Sequence, residues 1–335
     1  MYVGHVSART LLAFCALSLT SFAFAGCGDS ADTTDATTGD PGGGGSGAAG
    51  GAGAAGGGGS GAAGGAGGSG GAPAKTTPDP QFVPKPAGAC PEFAEGTASF
   101  APAAGARDVR LWMTDAAKSM EGPLVFFWHG VGGSPTDATY ALGNAVIDEI
   151  TAMGGIVAAP VHDPAAGQFP WYLTLGGTDE TDLLLADEVL GCAIEKVGVD
   201  MRRIHSVGFS AGAMNTTQVG WRRSGYIASV VTFSGAQLGN VTPDQDPTNL
   251  FPAMVVHGGP QDIVIIKFMD QSIKYADGLK AAGHFAFICN HGKEHTVPSD
   301  IRAPAWQFLK DHPFGQQPEP YLNGLPATFP SYCSL

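Results

Sequence analysis

The stretch "IHSVGFSAGAMN", Ile204–Asn215, decides the fold. A run rich in β-branched and apolar residues leads into Ser210, which stands between Gly208 and Gly212, and small helix-forming residues follow. Read as strand, tight turn and helix, the stretch lifts a serine hydroxyl out at the end of a strand, as a nucleophile requires. Gly208 and Gly212 permit the sharp turn, and a helix starting at Ala211 would aim free N–H groups at developing negative charge. The plainer reading is a serine that caps a helix. The rest of the chain has to supply the partners that choose between them.

Working outward, short apolar runs alternate with longer amphipathic ones. Val109–Met113, Pro123–Gly130, Gly155–His162, Ile204–Phe209, Ile227–Phe233, Pro252–Gly259 and Phe285–Asn290 read as strands covered on both faces. Helical patterns fall at Thr139–Met153, Glu180–Val197, Ala211–Arg223, Met269–Ala282 and Ser299–Asp311. This alternation predicts an α/β fold with a mostly parallel central sheet and helices on both faces. Ligands of such sheets bind beyond the carboxyl ends of the strands, so the chemistry is expected just after each run.

The 335-residue chain does not all have core-forming composition. Residues 87–335 can build one domain. Residues 27–86 are dominated by Gly, Ala, Ser and Pro, and Gly42–Gly71 is mostly glycine. Such a segment has no apolar surface to offset its ordering entropy and reads as a tether, spanning roughly 35–45 Å as a flexible coil. Residues 1–26 pair Arg9 with an apolar run, Leu11–Ala25, too short for a comfortable membrane span, and read as a secretory signal. "FAGC", Phe24–Cys27, resembles a bacterial lipobox with Phe in place of the usual Leu. That resemblance implies lipidation at Cys27 and an exported, surface or periplasmic lipoprotein; ordinary cleavage and secretion is the alternative.

Export leaves four cysteines beyond the signal and anchor, Cys90, Cys192, Cys289 and Cys333, an even number that suggests two disulfides. No C-x-x-C pair occurs and no His–carboxylate spacing suggests a metal, so neither metal nor cofactor is expected. With 17 basic against 30 acidic residues, a nucleic-acid partner is disfavoured. Membrane contact is expected only through the anchor, and the domain is expected to be a monomer.

From Ala87 on, the chain resembles the α/β-hydrolase superfamily: the Gly208–Gly212 pentapeptide is followed by Asp262 in "HGGPQDIV" and His295 in "HGKEHTVP", each after a later strand. The resemblance implies a triad of Ser210, Asp262 and His295, in which the imidazole removes the serine proton and the carboxylate fixes its tautomer. His291 is the alternative base, and Asp244, Asp246 and Asp270 are alternative acids; His257 and His284 read as structural. "FFWHGVGGSP", Phe126–Pro135, carries the family's other oxyanion turn, which implies the backbone N–H groups of Val131 and Ala211 as donors, with His129 beside the substrate.

Within the superfamily, Cys192, Asp200–Arg203 and the "GFSAG" box are similar to the poly(3-hydroxybutyrate) depolymerase and feruloyl esterase branch, which is carbohydrate esterase family 1-like. The glycines usual before the last histidine are replaced by "GKE", Gly292–Glu294. The branch implies a serine ester hydrolase, with bulky or polymer-linked esters as substrates. A peptidase on the same fold and a non-catalytic binding module are the alternatives. Gly235–Phe251 is too short for the helical lid that lipases often carry there. "FPWYL", Phe169–Leu173, is placed on the rim, where Trp171 and Tyr172 either stack on substrate or pack their own loop. The family's sheet order implies that Cys192 and Cys289 are too far apart to bond; of the two pairings left, Cys90–Cys192 with Cys289–Cys333 is the one expected.

Overall fold

The computed structural model describes residues 79–239 and 244–335. The signal, most of the tether and the proposed lipid site at Cys27 lie outside the described residues.

The described residues form one nine-stranded sheet in the order β1-β2-β4-β3-β5-β6-β7-β8-β9. The strands are β1 (Gly96–Phe100), β2 (Arg107–Trp112), β3 (Leu124–Trp128), β4 (Ile156–Pro160), β5 (Ile204–Phe209), β6 (Ser229–Phe233), β7 (Ala253–His257), β8 (Ala286–Asn290) and β9 (Cys333–Ser334). From β4 through β3 and on to β8 all neighbours are parallel. The β1 and β2 strands at one edge and β9 at the other are antiparallel. All five residues of β3, β4, β6 and β7 are buried, as strands sandwiched between helices require.

Alternate residues of each strand feed two cores. Leu124, Phe126 and Trp128 of β3 join Val230, Ala253 and Val255 on one face, under α3 (Thr181–Lys196), α4 (Ala211–Arg222) and α5 (Phe268–Ala281). Val125 and Phe127 join Val231, Phe233 and Val256 on the other, under α1 (Asp137–Ala141), α2 (Asn144–Ala152) and α6 (Arg302–Asp311). The single helix expected over Thr139–Met153 is two, because Gly143 turns the chain at φ 83° between α1 and α2. The pattern also missed β1 and the two-residue β9.

The packed chain begins before Ala87. Phe82 stacks on Tyr226 with ring centroids 6.0 Å apart, and Glu188 accepts the N–H groups of Ala87 and Gly88 at 2.6 and 3.1 Å. The two disulfides are Cys90–Cys192 and Cys289–Cys333, the expected pairing. The first ties the N-terminal segment to α3; the second joins directly paired residues of β8 and β9. Between β6 and β7 the described residues form no helix.

Candidate active site

Ser210 sits between the last residue of β5 and the first of α4 at φ 56°, ψ −122°. An L-residue held there costs about 1–3 kcal/mol and persists only where its surroundings over-determine it. Those surroundings are specific. The Ser210 N–H donates to the Phe233 carbonyl of neighbouring β6 at 2.9 Å, and its own carbonyl accepts the Met214 N–H at 3.1 Å. A Cβ on Gly208 would meet the Gly212 carbonyl oxygen at 2.2 Å, and one on Gly212 would meet the Trp128 oxygen at 1.9 Å. Only glycine fits at either place. Ser210 is a strained turn residue whose side chain makes no helix-capping bond, so the cap reading fails.

The turn after β7 delivers the carboxylate. Asp262 is fully buried; its Oδ2 accepts the Gly258 N–H at 2.8 Å and its Oδ1 accepts His295 Nδ1–H at 2.7 Å. Burial opposes ionisation of Asp262, but these hydrogen bonds outweigh it and hold the carboxyl below its ordinary range. With Nδ1 donating to the carboxylate, the other ring nitrogen of His295 is left as the basic one. The imidazole is gripped on both faces: Phe268 stacks on it at 4.7 Å and Phe209 lies at 4.9 Å. Glu294, just before it, takes a left-handed conformation (φ 62°), and its N–H donates to the Gly258 carbonyl at 3.1 Å. Tyr140 secures the other side, its hydroxyl accepting the Val297 N–H at 2.8 Å.

The competing residues have other employment. His291 is buried and its Nδ1 accepts the Lys293 N–H, while His257 Nδ1 accepts the Gly259 N–H, both at 3.1 Å. His284 bonds the Phe251 carbonyl at 2.9 Å. Asp244 bonds the Ser224 hydroxyl, Asp246 caps its own turn through Thr248, and Asp270 stands exposed in the first turn of α5.

Ser210, His295, Ala211, Gly130 and Val131 line one cavity of roughly 270 Å³. Its other walls are Phe169, Phe209, Met214, Phe268 and the segment Val264–Ile266; among the described residues no Asp, Glu, Lys or Arg side chain lines it. The mouth is apolar and open: Val131, Val264 and Ile265 are 58, 60 and 76 % exposed. The tight Ile263–Lys267 bridge that presents Val264 and Ile265 had no signal beyond its apolar letters.

The expected rim aromatics are not on the rim. Trp171 is 1 % exposed: its ring meets Trp128 edge-on at 4.9 Å and its indole N–H donates to the His129 carbonyl at 2.8 Å. Tyr172 donates its hydroxyl to Asp163 at 2.9 Å and does not line the cavity. Both are spent on packing their loop, and Phe169 alone of that segment reaches the cavity. His129 is likewise 1 % exposed and does not line the cavity.

No protein-family model matches the chain, and no curated protein matches it in sequence. Solved structures do. Native pOPH is similar at 20 % identity and a TM-score of 0.57, covering 70 % of this chain and 91 % of its own. Native sOPH is similar at 15 % identity and 0.57, covering 73 % and 96 %. A thermostable esterase is similar at 16 % identity and 0.51, covering 65 % and 62 %. Likeness at this level, with the sheet order above, establishes the fold: the described domain is an α/β-hydrolase fold.

Proposed function

We propose that this α/β-hydrolase-fold chain is an exported serine ester hydrolase that works through an acyl-enzyme on bulky or polymer-linked esters. The observation that carries the reading is the convergence of the strained Ser210 and the His295–Asp262 pair on one apolar cavity. His295 takes the Ser210 proton as the oxygen attacks the ester carbonyl, and Asp262 stabilises the imidazolium that forms. The N–H groups of Val131 and Ala211 receive the oxyanion. Collapse of the tetrahedral intermediate releases the alcohol with the proton from His295. Water, deprotonated by the same imidazole, then frees the acid.

The cavity is small for a ligand pocket, so it takes one apolar side of an ester. The remainder lies across the exposed rim of Val131, Val264 and Ile265, which offers an apolar surface to a large or polymeric substrate. Among similar solved structures, a serine-to-alanine variant of pOPH is described in complex with pNPB, and another neighbour is an esterase. Two disulfides fit an oxidising compartment outside the cytoplasm, in keeping with the leader and the lipidation proposed at Cys27.

A panel from p-nitrophenyl acetate through longer acyl and feruloyl esters to polyester films tests this. Turnover is expected on neutral esters and is expected to fall by about 10⁴-fold or more in Ser210→Ala. Cleavage of peptides with no turnover of esters would overturn the reading.

A further inference from the structure

We propose that Trp171 and His129 are positioning residues that pre-set the peptide groups of the oxyanion turn. The inference rests on the acyl-transfer reading of the Ser210 site and goes beyond it by assigning two buried side chains that touch no substrate.

Two successive peptide planes of the turn are anchored through their carbonyls. The His129 carbonyl accepts the Trp171 indole N–H at 2.8 Å. The Gly130 carbonyl accepts His129 Nδ1–H at 2.8 Å and the Gly133 N–H at 3.1 Å. A carbonyl can only accept, so Nδ1 of His129 carries the proton. The C=O and N–H of a trans peptide point in opposite directions. Pinning the Gly130 oxygen against the His129 ring therefore points the Val131 N–H from the opposite edge of that peptide, away from the ring. The plane lies against the nucleophile: a Cβ on Gly130 would stand 3.0 Å from that of Ser210.

Trp171 is itself held. Its ring packs edge-on against Trp128, and the Arg107 guanidinium lies 5.8 Å from its centroid. Arg107 is fixed by Asp182 at 2.6 Å and by the Val161 carbonyl at 2.9 Å, and Asp182 also accepts the Tyr172 N–H at 2.7 Å. A buried indole N–H calls for an acceptor, and the acceptor Trp171 takes is a carbonyl of this turn. The clamp keeps the donor oriented before the oxyanion forms, which is where preorganisation acts on rate.

Trp171→Phe keeps a ring and deletes the N–H; His129→Leu deletes the second donor, and His129→Asn restores an N–H near the Nδ1 position. On p-nitrophenyl butyrate, Trp171→Phe and His129→Leu are expected to lower kcat about 10- to 100-fold. KM is expected to stay within about twofold, because the contact works in the transition state. His129→Asn is expected to recover most of the loss. Amide hydrogen exchange is expected to quicken at residues 129–133 in the two deletion variants, with the rest of the sheet unchanged. A Trp171→Phe enzyme with wild-type kcat, or with raised KM and intact kcat, overturns the proposal. If wild-type protein turns over no ester, the ester reading fails, and exchange still decides the clamp: unchanged exchange at Gly130 and Val131 in Trp171→Phe overturns it.

Discussion

Ser210, Asp262 and His295 were legible because each stands in the turn that follows a strand, and strand ends are where a parallel sheet places its chemistry. Trp171 was not. An aromatic in a loop carries no periodicity, so its letter cannot say whether the ring faces solvent or the core. Burial and a single indole hydrogen bond settled the matter. Glu294 holds a comparable surprise, because it adopts a left-handed conformation beside the proposed base where the resembled branch carries glycine. A non-glycine residue there is strained. Glu294→Gly is therefore expected to retain activity and to change stability by no more than about 1 kcal/mol, the entropy cost of glycine offsetting the relieved strain. Activity profiles and urea midpoints check this; a large loss of activity would show that the Glu294 side chain serves the site.

Elements were predicted well wherever a long apolar run met a clear breaker. Strand β5 and helix α4 match their expected limits within a residue, because Ser210 both ends one and starts the other. The edges were harder. Only Phe100 of β1 is buried, and β9 is two residues long and pinned to β8 by Cys289–Cys333, so neither produces a run. Staples of this kind act mainly on the unfolded chain, with a larger effect for longer loops. Cys90–Cys192 closes 102 residues and Cys289–Cys333 closes 44. Replacing the first pair by serines is expected to lower unfolding free energy by about 5 kcal/mol and the second by about 4 kcal/mol. Denaturant titration of each double variant gives the comparison. Equal midpoints for wild type and both variants would refute it.

At the scale of the whole molecule, five buried imidazoles among the described residues link stability to pH. Burial is the main cause that lowers the pKa values of His129, His205, His257, His284 and His291, with His205 pushed down to about 3. An unfolded histidine takes up its proton near pH 6.5. Below that pH the unfolded state binds more protons than the folded one, so stability falls as pH drops and rises with pH. Asp182 and Asp187, whose pKa values burial raises, work in the opposite sense, since folding favours their protonated forms. The urea midpoint is accordingly expected to fall between pH 7 and pH 5, with a shallower fall in His205→Gln. A midpoint constant over that interval would contradict the assignment of neutral buried histidines. Composition alone did not show where packing starts, since Phe82 packs on Tyr226 from inside a segment that reads as linker.

On the proposed function, the fold makes Ser210 a reactive nucleophile. Intact-mass spectrometry of the folded wild-type protein after exposure to a fluorophosphonate tests it most directly. A single covalent adduct is predicted, mapping to Ser210, absent from Ser210→Ala and formed far more slowly in His295→Ala. Folded wild-type protein that takes up no adduct, or takes it up at another residue with Ser210 unmodified, would contradict the account.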